Sequence, residues 1–256
     1  MQDLSIDQPA EGIVRLRINR PEARNSLSVD LRKQIVTELA RLDADKAVRA
    51  VILAGGEKVF AAGADISELK GMTPIGMMQR ATNLMWVAIA GFRKPLIAAV
   101  RGAAFGGGFE LAMSTDIIVA GSKSRFALPE VTLGLIPGGG GTQRLIRLAG
   151  KHVAMDILMS GRVLRASEAL NFGIVSRCVE DEEVEEAAVD LAAAIASKAP
   201  LAVQLAKEAA LLGADAPLAS GLALETRAIQ VLFDSNDVDE GISAFFEKRP
   251  PKFKGN

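Results

Sequence analysis

One cysteine and one histidine are all that the 256 residues offer of the side chains on which most transition-metal sites and many nucleophilic enzymes depend. The lone Cys178 excludes an intrachain disulfide framework and is compatible with a reducing cytoplasm, the compartment expected for this chain. Within Ile174–Val179 it reads as a small packed residue. With His152 as the only imidazole, no metal site is expected, and a Ser-His-Asp triad would have to use that one side chain. His152 stands in Gly150-Lys151-His152-Val153, a loop entering a helix, where a surface or capping position is the simpler reading.

Charge of one sign is also scarce. Thirty Lys and Arg oppose 31 Asp and Glu, so no basic excess points to nucleic acid or an anionic membrane, and neither is expected as a partner. The first twelve residues carry acids and lack the cationic start and apolar run of a secretory leader. Arg101, Glu110, Asp116 and Asp156 interrupt the most apolar regions, so none approaches the roughly 18 apolar residues of a membrane span. Nucleotide motifs are incomplete: Gly106-x-Gly108 is followed by Leu111 and Gly139-x-Gly141 by Arg144 where a third glycine is required. Gly102 and Gly107 have P-loop spacing, but Gly108-Phe109 replaces Lys-Ser/Thr, and no G-x-S-x-G occurs.

What is present is a large apolar fraction, 49%, enough for one sizeable core. Ile13–Ile18 alternates as a half-buried strand, and Ala50–Ala54 reads as a buried one. Ser28 can cap a helix whose Leu31, Ile35, Leu39 and Leu42 form a stripe through about residue 43. Helical patterns follow at Asn83–Phe92, Thr142–Leu148, Val153–Ser160 and Ser167–Asn171, with strands at Ile117–Ala120 and Ile174–Val179. Beyond Glu180 only helices are expected: Glu182–Ser197, Leu201–Leu212, Leu218–Phe233 and Val238–Phe246. Strands interleaved with helices, then helices alone, predict an α/β fold with a helical appendage.

The chain is organised around Pro95–Asp116. An apolar strand at Leu96–Val100 breaks at Arg101-Gly102, and Gly106-Gly107-Gly108 open an apolar segment carrying Glu110. Bare glycine amides at a helix start suit a developing negative charge. Glu110 is either on an exposed face of that helix or held in an apolar site with a raised pKa. Phe60-Ala61-Ala62-Gly63-Ala64-Asp65-Ile66 repeats the theme, so two loops can each offer an N–H to one oxygen. Glu130, beside Pro129, is a second candidate acid. Two carboxylates beside two amide donors can move protons at carbon while the donors stabilise an enolate, as chemistry at the α and β carbons of a thioester requires; a pair of surface glutamates is the alternative.

Asn19-Arg20-Pro21-Glu22-Ala23-Arg24-Asn25-Ser26-Leu27, the Phe60–Ile66 segment, Lys94-Pro95-Leu96-Ile97-Ala98-Ala99-Val100-x-Gly102, Gly106–Ala112, Pro129-Glu130 and Gly138–Arg144 occur in an order that resembles the enoyl-CoA hydratase/isomerase (crotonase) family, from about Val14 to Lys254. The resemblance implies a crotonase-like spiral of repeated strand-strand-helix units with a C-terminal helical trimerisation region. Its boundaries are a 1–195 core bearing the active site and a 196–256 helical region, in a homotrimer or a homohexamer of two trimers. It implies an acyl-CoA substrate and no separate cofactor, since coenzyme A is part of the substrate. The thioester oxygen would lie between the N–H groups of Ala64 and Gly107. Glu110 would orient and activate water, and Glu130 would deliver the proton. Ala62, Ala64, Asp65 and Ile66 are the implied main-chain contacts to coenzyme A, with Arg24 at a phosphate and Phe245 and Lys248 reaching it from a neighbouring subunit; a packed helix residue and a solvated charge are the plainer readings of those last two. Lys70–Leu84 and Trp86 would line the acyl pocket, with Met72, Met77 and Met78 leaving its size open. Both glutamates favour hydration of a trans-2-enoyl-CoA. A Δ-isomerase with one working glutamate, a hydratase of dicarboxylic enoyl-CoA and a non-catalytic CoA-ester-binding scaffold are the alternatives.

Overall fold

Alternate residues of the central strands sort onto two faces, and the sorting builds the layers. In the computed structural model, which describes residues 3–80 and 83–256, the chain begins with β1 (Leu4–Ala10) and β2 (Ile13–Ile18), then α1 (Val29–Ala44), β3 (Ala50–Ala54) and β4 (Val59–Ala61). After α2 (Pro74–Gln79) and α3 (Asn83–Ala90) come β5 (Leu96–Val100), β6 (Ala103–Phe105) and α4 (Gly107–Met113). Next are β7 (Ile117–Gly121), β8 (Arg125–Ala127), α5 (Gly141–Ala149), α6 (Lys151–Ser160), β9 (Leu164–Arg165), α7 (Ala166–Asn171) and β10 (Arg177–Val179). Four helices close the chain: α8 (Val184–Ala196), α9 (Pro200–Ala214), α10 (Leu218–Leu232) and α11 (Asn236–Glu247).

One sheet runs β1-β2-β3-β5-β7-β10 and a smaller one β4-β6-β8-β9. Strands β3, β5 and β7 of the large sheet each continue into β4, β6 and β8 of the small one, and helices then lead back. The chain is therefore a spiral of strand-strand-helix units, with β2, β3, β5, β7 and β10 parallel. Val51, Leu53, Leu96, Ala98, Val100, Ile118 and Ala120 point into the main core. Ala50, Ile52, Ala54, Ile97, Ala99 and Val119 face the other way, where α8 covers them with Val184, Ala188, Leu191 and Ala192. The i, i+4, i+7, i+8 spacing of those four is the stripe a helix needs to lie on a sheet.

Two differences from the sequence reading have local causes. No strand was expected at β1, yet it pairs antiparallel with β2 (Leu4 opposite Ile18, Ile6 opposite Leu16). Of the expected strand Ile174–Val179 only β10 pairs, because the N–H groups of Ile174 and Val175 turn back to the Ala169 carbonyl at 2.9 and 3.1 Å and close the end of α7. Beyond residue 196 the packing changes: α9 and α10 bury no residue. α9 is held at the sheet end by Lys207 Nζ, which donates to Lys94 O (2.9 Å) and Asp116 Oδ2 (2.7 Å). Buried Asp237 of α11 accepts the Lys254 and Gly255 N–H groups and fastens the C-terminal tail. Among the described residues, no single helix is long and apolar enough to cross a membrane.

Candidate active site

Two glycine loops meet where the sheets diverge. Gly106 adopts φ 51° to turn β6 into α4, and its N–H donates to Ala127 O. A Cβ at Gly108 would stand 2.0 Å from Ala61 O, so α4 rests directly on β4 and only glycine fits. In the other loop a Cβ at Gly63 would lie 3.4 Å from Gly107 N, and one at Gly107 would lie 3.5 Å from Ala64 N. The Ala64 and Gly107 amides are thus brought side by side. Among the described residues neither N–H donates a hydrogen bond. The Gly63 loop is braced from behind: Leu27 N–H donates to Gly63 O (2.7 Å), Ala62 N–H to Arg24 O (3.2 Å), and Asn25 Nδ2 to Val59 O (2.9 Å).

Both expected carboxylates lie beside these loops. Glu110, in the first turn of α4, is 3% exposed, which removes the surface reading. Its Oε1 accepts the N–H groups of Gly139 (2.7 Å) and Gly141 (2.8 Å). Arg144 Nη1 donates to Gly139 O at 2.7 Å and holds that turn in place. Burial pushes the Glu110 pKa up, while the Gly141 and Gly139 N–H groups, Arg144 and Arg32 pull it back. The Trp86 ring lies against Gly139, where a Cβ would come within 2.4 Å of it. Trp86 therefore walls the Glu110 side of the site.

Glu130 opens the short turn Glu130–Leu133. Its Oε1 approaches Gly106, 3.0 Å from where a Cβ would stand, and its Oε2 is sealed from solvent without a hydrogen-bond partner among the described residues. Burial pushes its pKa up to about 7; its own N–H opposes and the Glu110 charge adds to the rise. Two acids share one site in unlike surroundings.

The remaining predicted residues are dispersed. Ala62 and Asp65 are half-buried in the Gly63 loop; Asp65 caps the turn Ile66–Glu68 by accepting from Ser67 N and Oγ, and Ile66 is exposed. Arg24 is exposed, with φ 52° and its carbonyl bracing Ala62. Phe245 and Lys248 project from the end of α11, and no hydrogen bond among the described residues links them to the loops. Of the expected acyl-pocket segment 70–84, Met72, Met77 and Met78 are exposed, and Ala81 and Thr82 lie outside the described residues. Among the described residues no three His, Cys, Asp or Glu side chains cluster to hold a metal. An apolar cavity of about 530 Å³, lined by Ala90–Arg93 with parts of α9 and α10, contains neither glutamate. Sequence reasoning gave no role to the Gly139 and Gly141 amides, Arg144 or Arg32; the glycine run ahead of α5 was the available signal for the first three.

The family model described as enoyl-CoA hydratase/isomerase matches residues 8–256. The chain belongs to that family. It is 45% identical to a probable enoyl-CoA hydratase of Rhizobium meliloti (strain 1021), over 93% of each chain. It is 42% identical to the 2,3-dehydroadipyl-CoA hydratase of Escherichia coli (strain K12), over 95% of each. The crystal structure of an enoyl-CoA hydratase from Bacillus anthracis superposes with a TM-score of 0.96 at 38% identity, covering all of both chains. For this member of the enoyl-CoA hydratase/isomerase family the spiral α/β fold expected from the sequence is thus the fold observed.

Proposed function

We propose that this enzyme, an enoyl-CoA hydratase, adds water across the trans-2 double bond of an enoyl-CoA by a two-amide, two-glutamate site, giving the 3-hydroxyacyl-CoA. The observation that carries the reading is a buried and a half-buried carboxyl group flanking two adjacent amides that have no acceptor among the described residues. The thioester oxygen accepts from Ala64 and Gly107, whose N–H groups strengthen their hold as the oxygen gains enolate charge. Glu110, its Oε1 fixed by two amides, keeps Oε2 for the water and takes a proton as the water oxygen bonds to the β carbon. Glu130 supplies the proton to the α carbon, and the proton taken from water restores it, so atoms balance as one water added. A Δ-isomerase needs one such acid and a binding scaffold needs neither, which disfavours both. A dicarboxylic enoyl-CoA is the second reading, favoured by the 42% identity to a 2,3-dehydroadipyl-CoA hydratase.

Coenzyme A is bound as part of the substrate, with no separate cofactor. Main-chain groups of Ala62, Ala64, Asp65 and Ile66 hold it, Arg24 meets a phosphate, and Phe245 and Lys248 reach it from a neighbouring subunit, consistent with their exposure and with their lack of hydrogen bonds to the loops in one chain. The 1–195 core carries the chemistry, and the 196–256 region assembles trimers or hexamers. Its exposed Leu211, Leu218, Leu222, Ile229 and Phe233 support that role. The free Cys178 fits a reducing cytoplasm. The test is to follow the enoyl-thioester absorbance of crotonyl-CoA with purified protein. Loss of the band with formation of 3-hydroxybutyryl-CoA is expected; an unchanged spectrum overturns the reading.

A further inference from the structure

One buried side-chain amide behind the oxyanion loop ties the turn at residues 20–25 to β4. Asn25 is 4% exposed. Its Nδ2 donates to Val59 O (2.9 Å) and Phe60 O (3.3 Å), and its Oδ1 accepts the Arg20 N–H (2.8 Å). Carbonyls on one side and an N–H on the other admit only an amide in this orientation, since a carboxylate has no proton to donate. The Asn25 N–H also donates to Arg20 O at 2.8 Å, so the turn is closed on itself. Within it Arg24 (φ 52°) and Asn25 (φ 55°) are consecutive residues in the left-handed region, which among the described non-glycine residues only Lys248 shares. Such backbone persists where its surroundings hold it, and it gathers at functional sites.

This turn carries the segment Arg24–Leu27, which decides where one oxyanion donor points. Arg24 O accepts the Ala62 N–H (3.2 Å), the Leu27 N–H donates to Gly63 O (2.7 Å), and Leu27 pairs with Ala64 as a parallel bridge. The Gly63 C=O and the Ala64 N–H belong to one peptide unit. That unit is planar and trans, so its C=O and N–H point in opposite directions, and fixing the oxygen on Leu27 fixes the direction of the N–H. The N–H so aimed is the one beside the Gly107 amide. A hydrogen bond accepted by Gly63 O also polarises the peptide and makes the Ala64 N–H a stronger donor. Gly63, at φ 106°, has no side chain to resist rotation of that plane, so the hold comes from Leu27. The same segment is tethered by Arg20 Nη1 at Ser26 O (2.7 Å) and by Arg32 Nε at Leu27 O (3.0 Å).

We propose that Asn25 is a positioning residue for the hydration: by clamping the turn to β4 it holds Leu27 against Gly63 O and so aims the Ala64 N–H at the thioester oxygen. The inference rests on the hydratase reading and adds to it a residue that touches neither substrate nor reacting atoms. The test pairs kinetics with the infrared carbonyl stretch of bound, isotope-labelled butanoyl-CoA, a saturated thioester that cannot be hydrated. In the wild-type enzyme the two N–H bonds should lower that stretch relative to free butanoyl-CoA. Asn25→Gly accepts the left-handed backbone and removes only the side-chain bonds. It is expected to lose roughly half of the lowering, as for one donor of two, and to reduce kcat for crotonyl-CoA roughly 10- to 100-fold with a smaller change in KM. Asn25→Asp, of the same size but unable to donate, should behave alike. Ser28→Ala removes the side-chain cap of α1 at the Leu31 N–H, and should lower the melting temperature while leaving both readouts at wild-type values. No lowering in a wild-type enzyme that hydrates crotonyl-CoA, a full lowering in the folded Asn25 variants, wild-type kcat in either, a matching loss in Ser28→Ala, or failure of both Asn25 variants to fold overturns the inference while leaving the hydratase reading standing. A wild-type enzyme that does not hydrate crotonyl-CoA overturns both.

Discussion

Replacing Glu130 by Gln should reduce turnover and remove part of the fall in stability as pH rises from 5 to 8. The carboxyl group titrates near 4.5 when unhindered and near 7 in the fold. Between those values the native state holds more protons than the unfolded chain, so this group's contribution to stability falls as pH rises from about 4.5 to 7 and stays constant above. The full linkage value for that displacement is roughly 3 kcal/mol; because Glu130 is half-buried and solvent screens part of the cost, about 1–2 kcal/mol is the working figure. Glutamine does not titrate, so the stability of Glu130→Gln minus that of wild type should grow by that amount from pH 5 to pH 8. The unpartnered amide of the glutamine adds an offset that does not vary with pH, so only the change with pH is diagnostic. Urea unfolding at fixed protein concentration at the two pH values measures it, and hydration of crotonyl-CoA in the same samples should fall by about 10²–10⁴, the range for loss of a general acid. Parallel pH dependence in the two proteins would refute the burial argument, and wild-type turnover in the variant would refute the catalytic one.

Gly107 is the first residue of α4, the one helical position where proline is tolerated, so Gly107→Pro should keep the fold while deleting one oxyanion donor. A loss of about 10²–10³ in kcat, with an unchanged circular dichroism spectrum, is expected; retained turnover would place the oxyanion site elsewhere. Arg144 favours the ionised form of Glu110, so Arg144→Leu should raise the Glu110 pKa and move the acid limb of the kcat/KM profile to higher pH, with partial return in Arg144→Lys. A limb that stays in place would mean that Arg144 only packs.

The sequence was most informative where a signal is local and least where it depends on distant partners. Strands β3 and β5 are apolar on every residue because both faces are covered, and they were legible as such. Strand β1 was not: Ser5, Asp7 and Gln8 are exposed, and what makes it a strand is its pairing with β2. Glu110 was ambiguous in isolation because its amide partners stand 29 and 31 residues away. Family motifs supplied its pairing with Glu130 but not those amides; periodicity supplied neither. Arg32 was hidden beside the apolar stripe of α1, since a charged residue next to Leu31 ordinarily reads as the solvent side. Phe245 and Lys248 were reachable only by resemblance, and one chain leaves them exposed.

The division of labour proposed for the two glutamates is in keeping with their supports. Two backbone N–H groups, Arg144 and Arg32 all favour the anionic form of Glu110 against the cost of its burial. Glu130 has its own N–H alone on that side, against burial and the charge of Glu110. These supports favour Glu130 as the carboxyl that keeps the proton when the pair holds one. The proposed mechanism asks for an ionised Glu110 as base and a protonated Glu130 as acid. Under the proposed mechanism, exchanging the two roles would require moving the Gly139 and Gly141 amides rather than the carboxylates, so the glycine run ahead of α5 would serve the chemistry alongside the acids.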